Sequence, residues 1–364
     1  MEAYILAIIS SFAAAIAVTP LVIKWAHRFG FVDQPNKRKV HQKPMPRIGG
    51  LTFIFGTGIG LLAVADQLAA DWQTTVAILA GALPIIAIGL LDDKFALRAR
   101  TKLLFQLLSA SIVVIGSGVS IDFISIPFGE RIDLGILSSI VTVIWLIAMM
   151  NAINLIDGLD GLAAGVAVIA LSTMLVIAAG NPAAYGLVFA FGFPLIGSVG
   201  GFLIFNFHPA KLFMGDTGSL FLGYMIGILS TMGFFKSVTI VSIVVPLFIL
   251  GVPILDTVFA IIRRKLNRQK IGSPDKGHLH HCLLNRGYGH RQAVLTIYGV
   301  SLLFAACAIL LSMSSLWFSL LVLIVVALLI QLCAECIGLI GEKRKPLLNA
   351  IRKWAGAGAP LRSK

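Results

Sequence analysis

"WQTTVAILAGALPIIAIGLLDDKFALRARTK", residues 72–102, decides how the rest of the chain is read. From Trp72 to Leu91 no side chain is charged. At about 1.5 Å of helical rise per residue, that run is long enough to cross about 30 Å of hydrocarbon. Two adjacent carboxylates follow, Asp92 and Asp93, and then Lys94, Arg98, Arg100 and Lys102. An unpaired acid costs about 2.5–3.5 kcal/mol at the centre of a bilayer and less at its edge, so acids here need partners. One Asp ending a helix beside Lys94 or Arg98 is ordinary; two in succession are not explained that way. Consecutive helical residues point about 100° apart, so the pair is expected to face two different ligands.

The same pattern recurs along the chain. Its 364 residues are 58% hydrophobic and 12% charged, with a mean hydropathy of +0.96, which excludes a soluble globule. Eleven segments have spanning character: Ala3 to Trp25, Ile48 to Leu68, Trp72 to Leu91, Leu103 to Val119, Ile136 to Met150, Leu162 to Ala179, Ala183 to Phe205, Ser219 to Phe235, Val238 to Ile262, Ala293 to Leu311 and Leu316 to Ile340. The fold expected is an all-α polytopic integral membrane protein of about eleven transmembrane helices. Residues 1–341 form one membrane-embedded domain and residues 342–364 a basic cytoplasmic tail. The first segment has no basic start and outruns a secretory signal, so it is read as a retained span. Only Lys236 and Ser237 divide the eighth and ninth. "VSIDFISIPFGERIDLG", residues 119–135, alternates about a "PFGE" turn and predicts a short β-hairpin on the outer face.

Orientation follows from Lys and Arg. If the loop after the first span is cytoplasmic, 27 of the 29 fall on that side and only Arg131 and Lys236 fall outside. This places the N-terminus out and the C-terminus in. The net charge of +13 then reflects topology and attraction to anionic headgroups rather than nucleic acid.

On the same side lie Asp33, Asp92, Asp93, Asp157, Asp160, Asp216, Asp256 and Asp275. A positive-inside flank does not require acids, so their shared face points to a site. In "NAINLIDGLDGLAAGV", residues 151–166, Asn151, Asn154, Asp157 and Asp160 recur every third residue and can neighbour one another on a helical surface. One such residue would cap the next helix; four exceed that need. Gly158 and Gly161 allow close approach to the backbone. In "FNFHPAKLFMGDTGSLFLGY", residues 205–224, Asp216 sits between glycines ahead of a span, either as an N-cap or as a hard-oxygen ligand for Mg²⁺. "RRKLNRQKIGSPDKGHLHHCLLNRGYGHRQ", residues 263–292, gathers His278, His280 and His281 among cations, a setting that fits anion binding better than zinc. "DQPNKRKVHQKPMPRIGG", residues 33–50, repeats the theme with Lys43 and Arg47. Acids, cations and a divalent ion together are what phosphoryl transfer uses, and the location at a bilayer surface points to a lipid substrate.

These four stretches and "GLLDDKFALRARTK" resemble, in order, the motifs of the polyprenyl-phosphate N-acetylhexosamine-1-phosphate transferases, most closely the WecA/TagO-like branch and more distantly MraY. The resemblance implies transfer of GlcNAc-1-phosphate from UDP-GlcNAc to undecaprenyl phosphate with release of UMP, in a bacterial cell membrane with the site on the cytoplasmic face. It implies Mg²⁺ as cofactor, with Mn²⁺ as a substitute, held by Asp216. By the matching motifs Asp92 and Asp93 are the catalytic pair. Asn151, Asn154, Asp157 and Asp160, with His278, His280, His281, Arg47 and Lys43, are the substrate-binding set. The HLHH spacing and the "PMPRIGG" ending depart from the MraY pattern. Residue 96 is Ala, so no third carboxylate extends the Asp92–Asp93 run and Asp216 is the better metal ligand.

The other class open to this sequence is an ion-coupled transporter, whose acids would lie near the midplane. Only Asp256 is that deep, about 10 Å inside a span, with substrate and structural roles both open to it. Gly56, Gly58 and Gly60 offer a small-residue face for a homodimer. Cys333 and Cys336 on the last span are read as packing residues.

Overall fold

The computed structural model describes residues 1–33, 44–125, 131–234, 241–266, 268, 277–313, 316–337 and 348–349. Within these the chain is helical nearly throughout. In order it runs α1 (Glu2–Phe29), β1 (Val32–Asp33), β2 (Met45–Pro46), α2 (Gly50–Leu62), α3 (Ala65–Ala69), α4 (Trp72–Phe95) and α5 (Ala99–Ser117). Then come β3 (Phe123–Ser125), β4 (Arg131–Asp133), α6 (Leu137–Ile156), α7 (Leu162–Ala178), α8 (Gly186–Asn206) and α9 (Gly215–Phe234). The chain continues through α10 (Val241–Ile249), α11 (Gly251–Leu266), α12 (Leu279–Asn285), α13 (His290–Met313) and α14 (Leu316–Ile337). Among the described residues six helices, α1, α4, α5, α6, α8 and α13, are long and apolar enough to cross a membrane.

Two of the expected spans are broken. Ile48 to Leu68 divides into α2 and α3 at Ala63 and Val64. Val238 to Ile262 divides into α10 and α11 at Leu250, between Pro246 and Pro253, where a missing N–H and a ring clash interrupt the helical ladder. The strands β3 and β4 pair antiparallel, with Phe123 opposite Asp133; the "PFGE" turn at residues 127–130 lies outside the described residues. So do Lys236, the side chains of Cys333 and Cys336, and all but two residues of the basic tail.

Helix α9 is the core. Every residue from Thr217 to Thr231 is buried, and α2, α4, α6, α7 and α8 surround it. Its small residues let those backbones close in. A Cβ on Gly50 would strike the backbone of Gly218, and one on Gly89 the backbone of Thr217. The α9 N-terminus is therefore held between α2 and α4 at backbone distance. Around the perimeter, large apolar side chains such as Leu83, Ile115, Ile144 and Leu303 are exposed, far more apolar surface than a water-soluble chain presents. Gly56 and Gly60 pack inward on α1 and α8, so they serve this chain's own helix contacts; only Gly58 of that row opens outward.

Candidate active site

The two carboxylates at the end of α4 diverge, as their spacing requires. Both are buried, at 7% and 6% exposure. Asp93 reaches the start of α9, where Oδ1 accepts from the Asp216 N–H (2.8 Å) and Oδ2 from the Thr217 N–H (3.0 Å) and Thr217 Oγ1 (2.7 Å). It caps a helix on another segment, satisfying donors that have no partner within α9. Asp92 turns the other way. Its Oδ1 accepts from the Leu97 N–H (2.7 Å), which closes the α4 end through Ala96 in a left-handed conformation. Its Oδ2 accepts from Lys102 Nζ (3.2 Å), and the same ammonium donates to Asp216 Oδ2 (2.8 Å).

Asp216 is presented by a glycine that no other residue can replace. Gly215 has φ +72°, and a Cβ there would collide with Arg47 O and the Asp93 carboxylate. The collision partner explains a short clip that the sequence did not announce. Strands β1 and β2 pair antiparallel, with Val32 opposite Pro46. From β2 the chain runs beside residues 213–214: the Phe213 N–H donates to Pro46 O, the Gly49 N–H to Phe213 O and the Gly50 N–H to Met214 O. Arg47 is thereby brought to the site, with Nη1 3.7 Å from Asp33 Oδ1. Lys43 lies outside the described residues.

The Asn and Asp ladder at the end of α6 divides by depth. Asn151 is turned to α5, donating through Nδ2 to Gln106 Oε1 (2.8 Å). Asn154 donates to Ser219 Oγ on α9 (2.8 Å) and lines the cavity beside Asp216. Asp157, at the α6 terminus, also lines it; burial and the neighbouring Asp216 and Asp93 carboxylates push its carboxyl up to about 7, against the pull of Arg47. Asp160 is engaged by the protein itself. Its Oδ2 accepts from His208 Nδ1 (2.8 Å) and the Ala210 N–H (3.2 Å), and its N–H donates to His290 Nε2 (3.0 Å). The rings of His208 and His290 stack at 4.2 Å, and Arg291 donates twice to His208 O.

The histidine loop docks on this segment from α12. Asp256 supplies the anchor: Oδ2 accepts from His278 Nδ1 (2.8 Å) and Oδ1 from the Leu279 N–H (2.7 Å) at the start of α12. His280 lies against Gly158, where a Cβ would strike its ring. Burial and the adjacent His281 push His280 down to about 4, so at neutral pH its ring is uncharged. The anion-binding expectation therefore does not extend to His280 as a cation. His281 lines the cavity; His278 and His280 stand behind it, at 5% and 3% exposure.

The cavity holds about 640 Å³. Arg47, Asn154, Asp157, Asp216, His281 and His290 line it together. Asp92 Oδ2 and Asp216 Oδ2 converge on one ammonium, so this pocket of oxygens demands a positive charge and fits a hard divalent ion. Asp160, His208 and His290 also bring ligand atoms within 4.8 Å of one another, but their bonds to each other and to Ala210 already account for the close contacts. Lys102, His208 and His290 are the members that sequence reasoning did not single out; Asp33 was named only among the acids of that face. His208 and His290 stood inside quoted motifs, while Lys102 looked like any other basic residue flanking a span.

The profile of the family described as glycosyl transferase family 4 matches residues 75–234, which run from the start of α4 to the end of α9. The chain is 48% identical over 350 residues to a probable undecaprenyl-phosphate N-acetylglucosaminyl 1-phosphate transferase of Bacillus subtilis, covering 96% of each chain. The chain belongs to this family. A decaprenyl-phosphate N-acetylglucosaminephosphotransferase of Mycolicibacterium smegmatis is 38% identical over 75% of this chain and 73% of its own. A phospho-N-acetylmuramoyl-pentapeptide-transferase of Halalkalibacterium halodurans is 32% identical over 84% of this chain and 96% of its own. The identity is higher to the N-acetylglucosaminyl 1-phosphate transferase than to the pentapeptide transferase.

Proposed function

We propose that this protein transfers GlcNAc-1-phosphate from UDP-GlcNAc to undecaprenyl phosphate, giving undecaprenyl-pyrophosphoryl-GlcNAc and UMP, as the first membrane step of a cell-surface polymer. The observation that carries this reading is near-full-length similarity to a transferase of that name, together with an acid, amide and cation cluster in one cavity. Eleven spans, with the N-terminus out and the C-terminus in, put the cavity at the cytoplasmic face, where the soluble nucleotide sugar and the lipid headgroup meet. Charge asymmetry of 27 to 2 supports that orientation.

In the displacement, an oxygen of the lipid phosphate bonds to the β-phosphorus of UDP-GlcNAc. The bond from that phosphorus to the bridging oxygen breaks, and UMP leaves with the electron pair. Asp92, its Oδ2 beside Asp216, orients the lipid phosphate. Asp93 holds the α9 start and hence Asp216 in register; it is a positioning residue. Asp216 and Asp92 would hold Mg²⁺, or Mn²⁺ in its place, which when bound neutralises diphosphate charge. Arg47, Asn154, Asp157 and His281 contact the nucleotide sugar. Asn151 and Asp160, bonded to Gln106 and to His208, shape the cavity instead.

Purified protein given labelled UDP-GlcNAc and undecaprenyl phosphate tests this. Label entering the lipid with equimolar UMP is the expected result. UMP release without lipid phosphate would replace direct displacement by a covalent sugar-phosphate intermediate.

A further inference from the structure

Lys102 is one of four basic residues between positions 94 and 102, yet it behaves unlike the others. Lys94, Arg98 and Arg100 are exposed, as a membrane flank requires. Lys102 folds back from the first turn of α5, and its ammonium stands between two carboxylates, 3.2 Å from Asp92 Oδ2 and 2.8 Å from Asp216 Oδ2. Three other carboxylate oxygens nearby already have partners. Asp92 Oδ1 accepts from the Leu97 N–H, and Asp93 gives both oxygens to Asp216 and Thr217. The two oxygens that Lys102 holds are the ones through which Asp92 and Asp216 could share a divalent ion, with the second Asp216 oxygen and the Asp157 carboxyl beside them. Metal–oxygen bonds near 2.1 Å leave no room for an ammonium in the same place, and the two positive charges repel.

We infer that Lys102 is the built-in counter-cation of this acid pair: it holds Asp92 and Asp216 together until a divalent ion displaces it, and it then binds a substrate phosphate. The displaced ammonium sits on a flexible four-carbon stem, and the anions that enter this site are phosphates. Exchange of one cation for another keeps the charge of the pocket balanced before and after loading. This inference rests on the reading of Asp92 and Asp216 as the metal-holding pair.

Mn²⁺ binding to the full-length protein in detergent, counted by electron paramagnetic resonance without substrates, tests it. Lys102→Met is expected to bind Mn²⁺ about tenfold more tightly than the wild type or better, because a competing charge is gone. Lys102→Gln should do the same, as an independent check against misfolding, and Lys102→Arg should stay near wild type. In transfer assays Lys102→Met should be inactive despite its tighter metal. Equal or weaker Mn²⁺ binding in both Lys102→Met and Lys102→Gln, with binding lost in Asp216→Asn, would overturn the counter-cation role and leave the metal site standing. Wild-type binding in Asp216→Asn, or no binding in any variant, would overturn the metal-site reading and this inference with it. Full transfer by Lys102→Met would overturn the phosphate contact.

Discussion

Adjacent acids with separate partners make separable predictions. Asp93 satisfies three donors at a buried helix start, so Asp93→Asn sets an amide N–H against N–H and O–H groups. A loss of about 2–3 kcal/mol in stability is expected, seen as a lower melting temperature in detergent. Asp92→Asn should melt near wild type while transfer falls by about 10²-fold or more. The reverse pattern would exchange the two roles. His280 offers a test by pH. Its folded pKa near 4 lies below the ordinary histidine value, so between about 6.5 and 4 the unfolded chain takes up a proton that the folded chain refuses. Its contribution to stability is present above about 6.5 and is lost as pH falls toward 4. Histidine ¹⁵N resonances should show the His280 ring neutral at pH 5.5, and a ring already charged there would contradict its buried setting. The divergence of Asp92 and Asp93 was legible from helical geometry alone. The identity of Lys102 as the shared partner was not, because a basic residue that folds into a site and one that faces headgroups have the same local sequence.

At the scale of elements, the anchoring of α12 by Asp256 and the closeness of α4 to α9 carry the site. Asp256→Ala removes the acceptor for both His278 and the first α12 amide. Amides of Leu279–Asn285 should then exchange faster, and the Michaelis constant for UDP-GlcNAc should rise; unchanged protection would mean that α12 is held elsewhere. Gly89→Val drives side-chain atoms into the Thr217 backbone, with an expected cost of about 1–3 kcal/mol and a loss of transfer, read by melting and by the same assay. Helix existence was legible because the apolar runs are long and bounded by charged or turn-forming residues. The break at Leu250 was not, since hydropathy stays high through it, and the one at Val64 is marked only by Asp66 and Gln67 just beyond. The β1–β2 clip escaped notice for a different reason: strands of two residues leave no period, and Met45–Pro46 earns its place only by lying against Phe213 and Met214.

Across the whole molecule, one end of the helix bundle gathers the α6 and α9 termini, the Arg47 clip and the histidine loop around one cavity, with the α4 end bonded to the start of α9 beside it. Motif order along the chain announced these segments, but their partnerships are long-range. Asp160 meets His208 and His290, 48 and 130 positions away, and no local spacing encodes such pairs. The central claim is that the residues around this cavity move a sugar phosphate onto a lipid, with Asp92 beside Asp216 as the carboxylate that orients the lipid phosphate. Its most direct measurement is transfer of labelled sugar phosphate from UDP-GlcNAc to undecaprenyl phosphate by purified wild-type protein and Asp92→Asn, with and without Mg²⁺. Metal-dependent labelled lipid and UMP from the wild type, and at least about a hundredfold less from the folded variant, is the predicted result. Equal transfer by both proteins, or none by the wild type with any UDP-amino sugar, would contradict it.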